Sequence, residues 1–278
     1  MQQSSSYLSY WGLKELPFST TPDVRYFYFS KEHEEAFVRL KFVIEHKKPL
    51  CMITGEYGSG KTLLCNFLIS KLSATNYQFV YLGNPFVPKE ELVHNLVLFL
   101  TRVGVGGIEK LPTKYTELVQ LFVEIVNRNF QIGKHTVIFF DEAHLVEDIK
   151  VFEQLRVLLN SAGQNTSSLS IILLGQTELR EKIASLGQFK SRITYHYHIK
   201  NLDKEEVAEY IKHRLLVAGH PTGELFCKFA VEEIYNLTLG LPRTINNICD
   251  ISLMLGMAKS VDKINKEIVL EAKEEVLL

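Results

Sequence analysis

Two patterns of apolar positions alternate between residues 31 and 200. One is the short run with few polar breaks: Leu50-Cys51-Met52-Ile53-Thr54, Tyr77-Gln78-Phe79-Val80-Tyr81-Leu82, His135-Thr136-Val137-Ile138-Phe139-Phe140, Leu169-Ser170-Ile171-Ile172-Leu173-Leu174, and a fifth near Tyr195 to Ile199. Runs of this length predict strands buried on both faces, as in a parallel sheet. The other pattern has helical spacing. It covers Lys31 to Glu45, where Ala36, Phe37, Leu40, Phe42, Val43 and Ile44 make a broad apolar face, and the stretch from Lys61 to about Ser73. Further helices are expected from Pro88 to the glycines at 104, 106 and 107, over 114–130 and 148–161, and briefly from Glu178. The alternation predicts a five-stranded parallel sheet with helices on both faces. After Asn201-Leu202-Asp203 only helical patterns follow, at 203–218, 224–238, 242–259 and 265–277. Asp203 and Glu206 are spaced as a capping box for the first of them. The expected organisation is an α/β domain over 1–200 and an all-helical domain over 203–278.

Residues 1–30 fit neither pattern. They carry Tyr7, Tyr10, Trp11, Phe18, Tyr26, Phe27, Tyr28 and Phe29, while Pro17 and Pro22 interrupt any regular element. So much aromatic area must pack on something. It is either a strap that completes the core or a cover for a planar ligand, and the two are compatible.

Composition narrows the class. With 46% hydrophobic and 23% charged residues the chain reads as an ordinary soluble protein, and its net charge of −1 makes no global case for a nucleic-acid or membrane partner. The cysteines, Cys51, Cys65, Cys227 and Cys249, form no C-x-x-C pair and are expected as buried reduced thiols in the cytoplasm. The start of the chain has no signal-peptide pattern, and the longest apolar region, 92–108, is broken by His94, Asn95 and Arg102, so no membrane span is expected.

The candidate chemistry sits at two strand ends. Between the first strand and its helix runs Gly55-Glu56-Tyr57-Gly58-Ser59-Gly60-Lys61-Thr62, followed by Leu63. The pattern G-x-x-x-x-G-K-T in a strand–turn–helix context predicts a phosphate-binding loop. Its backbone N–H groups and the helix N-terminus face a phosphate, Lys61 reaches the β- and γ-phosphates, and the Thr62 hydroxyl can ligate Mg²⁺. The third strand runs straight into Asp141-Glu142. Carboxyl ends of parallel strands face the ligand crevice, which suits Asp141 to hold Mg²⁺ and Glu142 to act as general base on the attacking water. The row Asp141-Glu142-Ala143-His144 also spells a helicase box, but a helicase of that class needs a second large domain that 278 residues do not accommodate. The histidines show no metal-ligand spacing; His196 and His198 share one strand face and read as structural.

These motifs, with Gln176 after the fourth strand and Gly240-Leu241-Pro242-Arg243 among the later helices, resemble the AAA+ ATPases. Within that class the chain is similar to the general secretion pathway A-type (ExeA-like) ATPases. The likeness spans residues 7–260 and rests on Leu16-Pro17-Phe18, Thr21-Pro22-Asp23, Arg25-Tyr26, Ser30 with His33, and Leu174-Gly175-Gln176-Thr177-Glu178-Leu179. The resemblance implies a P-loop NTPase fold with a helical lid, ATP as the nucleotide, and further roles. Gln176 would meet the γ-phosphate and the attacking water. Asn84, after the second strand, would hold the catalytic glutamate in check. Arg243 would reach the nucleotide from the lid, and Arg192, before the fifth strand, would act as an arginine finger in a neighbouring subunit.

The expected function is thus an ATPase that hydrolyses ATP with Mg²⁺, assembles with nucleotide into a ring or open helix, and acts on a protein partner. An ATP-dependent DNA-binding regulator of transposition, or an initiator-like loader, shares every one of these motifs. Arg39, Lys41, Lys47, Lys48, Lys182 and Lys190 are its candidate basic positions, although Glu34, Glu35 and Glu45 interleave with the first group. A scaffold whose hydrolysis is too slow to matter is a third class.

Overall fold

The five apolar runs form one sheet. In the computed structural model, which describes residues 7–83, 88–103, 111–162 and 168–276, the elements in chain order are α1 (Tyr7–Tyr10), α2 (Lys31–Glu45), β1 (Leu50–Gly55), α3 (Lys61–Lys71), β2 (Tyr77–Leu82), α4 (Lys89–Val103), α5 (Tyr115–Gln131), β3 (His135–Phe140), α6 (Lys150–Ala162), β4 (Leu169–Gly175), α7 (Glu178–Ala184), α8 (Gly187–Lys190), β5 (Ile193–Ile199), α9 (Lys204–Val217), α10 (Lys228–Thr238), α11 (Pro242–Ala258) and α12 (Lys266–Glu275). Short 3₁₀ turns occur at Val24–Tyr26 and Ala143–Leu145. The chain divides into two compact units, one made of Glu35–Gly55 and Leu64–Ile199, the other of Met1–Glu34, Glu56–Leu63 and Lys200–Leu278.

The first unit is the α/β part. Its strands lie in the order β2-β3-β4-β1-β5, all parallel. Every residue of β1, β3 and β4 is buried, which is why these runs show no in–out alternation. The edge strand β2 alternates buried and half-buried positions. The core gathers Leu92, Leu96, Phe122, Phe140, Phe152 and Phe189. On β5, His196 and His198 do share a face: Thr54 Oγ1 lies 3.0 Å from His196 Nε2 and 3.0 Å from His198 Nδ1. A hydroxyl has one hydrogen to give, so one imidazole accepts and the other donates.

The second unit holds the later helices. Its core joins Trp11, Phe18 and Tyr26 to Val207, Ile211, Leu215, Ile234, Ile248 and Leu253. Within this unit the aromatic segment is held by the Trp11 indole N–H, which donates to the Leu253 carbonyl at 3.0 Å. The capping box at Asp203 and Glu206 forms as expected. Two details differ from the sequence pattern. One helical turn, Tyr7–Tyr10, precedes the first proline of the aromatic segment. Residues 224–227, expected as helix, instead include an extended stretch: Cys227 N–H donates to the Ile264 carbonyl and Ile264 N–H to the Leu225 carbonyl. These bonds satisfy the backbone without a helix, and α10 starts only at Lys228.

Cys51, Cys65 and Cys249 are buried and Cys227 half-buried, none of them in a disulfide. Among the described residues no helix is long and apolar enough to cross a membrane.

Candidate functional site

The loop after β1 has the shape its glycines allow. Gly58 and Gly60 take φ of +87° and +92°, backbone angles that side chains with a Cβ rarely adopt. The chain then enters α3 at Lys61, so the first N–H groups of that helix close the loop. Ser59 is 1% exposed, and its hydroxyl has no hydrogen-bond partner among the described residues. A buried orphan hydroxyl just ahead of a helix N-terminus suits a phosphate oxygen. The Lys61 ammonium is drawn inward and donates to the Glu56 carbonyl at 2.9 Å. Thr62 and Leu63 are half-buried in the first turn of α3, while Glu56 and Tyr57 are exposed.

His33 braces this loop. It is buried, and its Nε2 lies 2.9 Å from the Ser59 carbonyl oxygen. A carbonyl only accepts, so Nε2 carries the proton, and Nδ1, 2.7 Å from Ser30 Oγ, accepts from that hydroxyl. Burial lowers the imidazole pKa, which keeps the ring neutral in this role. A Cβ on Gly60 would stand 2.9 Å from His33 Nε2, so the glycine also makes room for the brace. Beside the loop lies a largely apolar cavity lined by Tyr26, Phe27 and Tyr28 of the aromatic segment, by Gly60 and Leu63, and by Pro242. Arg214 borders it as a buried cation held by the carbonyls of Pro17 and Ser19 and by the Tyr210 hydroxyl. Sequence reasoning did not assign a role to His33 or Arg214. His33 had a signal in its three-residue spacing from Ser30; Arg214 sits in an ordinary amphipathic pattern and had none.

In the α/β unit, Asp141 and Glu142 follow β3. Asp141 is buried; its Oδ1 accepts from the Glu142 N–H at 2.8 Å, and its Oδ2 accepts from the Tyr81 hydroxyl. Glu142 adopts φ +50°, ψ +32°, a left-handed conformation. For a residue with a side chain this costs on the order of 1–3 kcal/mol and is characteristic of positions where geometry serves a site. Glu142 Oε2 is buried without a hydrogen bond among the described residues, although His144 Nδ1 lies 3.4 Å away. That contact is not a hydrogen bond in this arrangement, because Nδ1 already accepts from the Gln176 N–H. The loop at 142–146 is further held by Lys182, whose ammonium donates to the carbonyls of His144 and Val146. Gln176 follows β4, half-buried.

Among the described residues no three His, Cys, Asp or Glu side chains gather as a metal cluster. The hard oxygens of Thr62 and Asp141 are of the kind Mg²⁺ takes when phosphates and water complete its shell. Arg243 stands in the first turn of α11 after Pro242 at N1, with its guanidinium carbon 4.3 Å from the Tyr57 ring centroid. Arg192 lies between α8 and β5, exposed, and makes no ion pair among the described residues. Asn84 lies outside the described residues. Of the basic positions, Arg39 and Lys41 pair with Glu35 and Glu45 one helical turn away, and Lys47 lies over the Phe130 ring.

The family model described as an AAA domain matches residues 44–183. Over 265 residues the chain is 32% identical to the general secretion pathway protein A of Aeromonas hydrophila, covering 93% of this chain and 46% of that protein. The chain therefore spans less than half the length of that relative. The structure is similar to Cdc6p from Pyrobaculum aerophilum, with TM-score 0.70, 15% identity, and 94% of this chain and 71% of that one covered. It is also similar to the ORC2 protein of Aeropyrum pernix in its ADPNP–ADP complexes, with TM-score 0.68, 14% identity and the same coverage of 94% and 71%. At these identities the structural likeness is one of fold.

Proposed function

Because this chain belongs to the AAA domain family, we propose that it binds ATP at Gly55 to Thr62 and hydrolyses it to ADP and phosphate with Mg²⁺. The observation that carries this reading is the loop itself, with Gly58 and Gly60 at positive φ around the buried, unpartnered Ser59 hydroxyl. The apolar cavity lined by Tyr26, Phe27 and Tyr28 would take the base, an arrangement in which the aromatic segment is both strap and cover. Lys61 would leave the Glu56 carbonyl for the β- and γ-phosphates, exchanging a neutral acceptor for charged ones. Thr62 and Asp141 would hold Mg²⁺, which when bound supplies positive charge against the phosphate oxygens. Water attacks the γ-phosphorus, the bond to the ADP oxygen breaks, and the water's proton passes to Glu142. Gln176 would orient that water, Asn84 would restrain Glu142 until a partner engages, and the guanidinium groups of Arg243 and Arg192 would stabilise charge on the transferring group.

The same reading extends to assembly. Arg192 is an exposed cation without an ion pair among the described residues, which fits a finger offered to the next subunit of a nucleotide-dependent ring or helix. The work so driven would be done on a protein partner in the cytoplasm. The ion pairs of Arg39 and Lys41 favour this over DNA coating. The test is phosphate release per subunit as protein concentration rises. We expect the rate to climb and then plateau, and Arg192→Ala to lower the plateau on the order of 10³-fold while ATP still binds. A concentration-independent rate, together with an Arg192→Ala variant that behaves as wild type, removes the assembly. Growth of the particle only on a DNA duplex, with steep salt dependence, would replace the protein partner with DNA.

A further inference from the structure

We propose that Tyr57, at a position of the phosphate-binding loop that the G-x-x-x-x-G-K-T pattern leaves open, is a positioning residue that holds Arg243 ready for the nucleotide's terminal phosphate. The proposal deepens the nucleotide-binding reading above and rests on it.

Three observations within the helical unit converge. The Arg243 guanidinium carbon lies 4.3 Å from the Tyr57 ring centroid, within the range of a cation–π contact. No carboxylate competes with it: among the described residues Arg243 pairs with none, and Tyr57 is 51% exposed. The loop is also cut to fit the start of α11, because a Cβ on Gly58 would stand 2.4 Å from Arg243 Cβ. The missing side chain at position 58 lets the first turn of α11 come down onto the loop, and Pro242 at N1 sets the direction in which that turn leaves.

The choice of partner matters chemically. A carboxylate would neutralise the guanidinium and occupy its N–H donors, so a phosphate would have to displace it. An aromatic face attracts the charge but offers no lone pair, and the donors keep their need for oxygen acceptors. An arginine restrained in this way has surrendered rotamer freedom before the ligand arrives, which is the usual origin of gains from preorganisation. Tyr57 thus acts through Arg243 and touches no reacting atom. The contact is specific to the triphosphate to the extent that Arg243 is.

The test is a double-mutant cycle in equilibrium binding of a non-hydrolysable ATP analogue and of ADP to wild type, Tyr57→Ala, Tyr57→Phe, Arg243→Ala and Tyr57→Ala/Arg243→Ala. A partly exposed cation–π contact corresponds to about a 3- to 5-fold change in Kd. We expect Tyr57→Ala to weaken the analogue by that factor, to change ADP binding less, and to have no effect once Arg243 is alanine. Tyr57→Phe, which keeps the ring, should bind as wild type. An equal loss in both backgrounds, an unchanged Kd in Tyr57→Ala, or tighter binding in that variant would overturn the proposal. If wild type binds neither nucleotide, the fault lies in the nucleotide-binding reading rather than in the role of Tyr57.

Discussion

Glu142→Gln should slow turnover by orders of magnitude while sparing nucleotide binding. The carboxylate is held at a left-handed backbone position with Oε2 buried and unpartnered by a hydrogen bond, so it has an acceptor to offer a water molecule. The amide of glutamine has the same volume and can keep the conformation, but it cannot take the proton of the attacking water. General-base catalysis contributes about 10²–10⁴-fold, and phosphate release should fall by that factor. The loop Glu56–Leu63 lies in the other compact unit and keeps its own braces, so ATP affinity should stay within a few-fold of wild type. Phosphate release measured beside binding of a fluorescent ATP analogue separates the two. Wild-type turnover by Glu142→Gln would remove Glu142 from the role of base.

The second large effect is on stability. At Gly240→Ala the new Cβ would stand 1.9 Å from the Leu202 carbonyl oxygen, and φ there is +77°. Backbone cannot swing aside as the end of a flexible side chain does. The Leu202 N–H is moreover bonded to the Gly240 carbonyl at 3.0 Å, so relief of the clash breaks that bond too. Strain of on the order of 1–3 kcal/mol at the backbone angle, added to the clash, gives an expected loss of about 3–5 kcal/mol, in the exceptional range for a single substitution. Gly240 lies just ahead of Leu241, the N-cap of α11, so the variant should also move Arg243 and weaken ATP binding. Thermal unfolding of wild type and Gly240→Ala, with and without nucleotide, checks both effects. An unchanged melting temperature would mean that the Leu202–Gly240 approach is not a feature of the folded protein.

Much of this fold was legible because its signals are local. Unbroken runs such as Val137 to Phe140 announced strands covered on both faces, and the five strands, parallel throughout, bear out the α/β expectation. The membership in the AAA domain family follows the same motifs. What escaped depends on partners far away in sequence. The Trp11 indole bonds a carbonyl 242 residues on, and no periodicity announces such a pair. Arg214 reads as a solvated helical residue, yet it is buried because carbonyls of Pro17 and Ser19 converge on it. Residues 224–227 carried a helical pattern, but Ile264 supplied backbone bonds that made extension equally satisfied. The left-handed turn at Glu142 was hidden for a different reason: no glycine or asparagine marks it.

The central claim is that the loop from Gly55 to Thr62 receives the phosphates of ATP, and equilibrium binding of ATP with Mg²⁺ to wild type and Lys61→Ala tests it most directly. Removing the ammonium forfeits charge-assisted bonds to two phosphates, on the order of 3 kcal/mol, which is about a 150-fold rise in Kd. Saturable binding by wild type and a loss of that size in a folded Lys61→Ala protein is the predicted result. Absence of binding by wild type, or equal affinity in the two proteins, would contradict it.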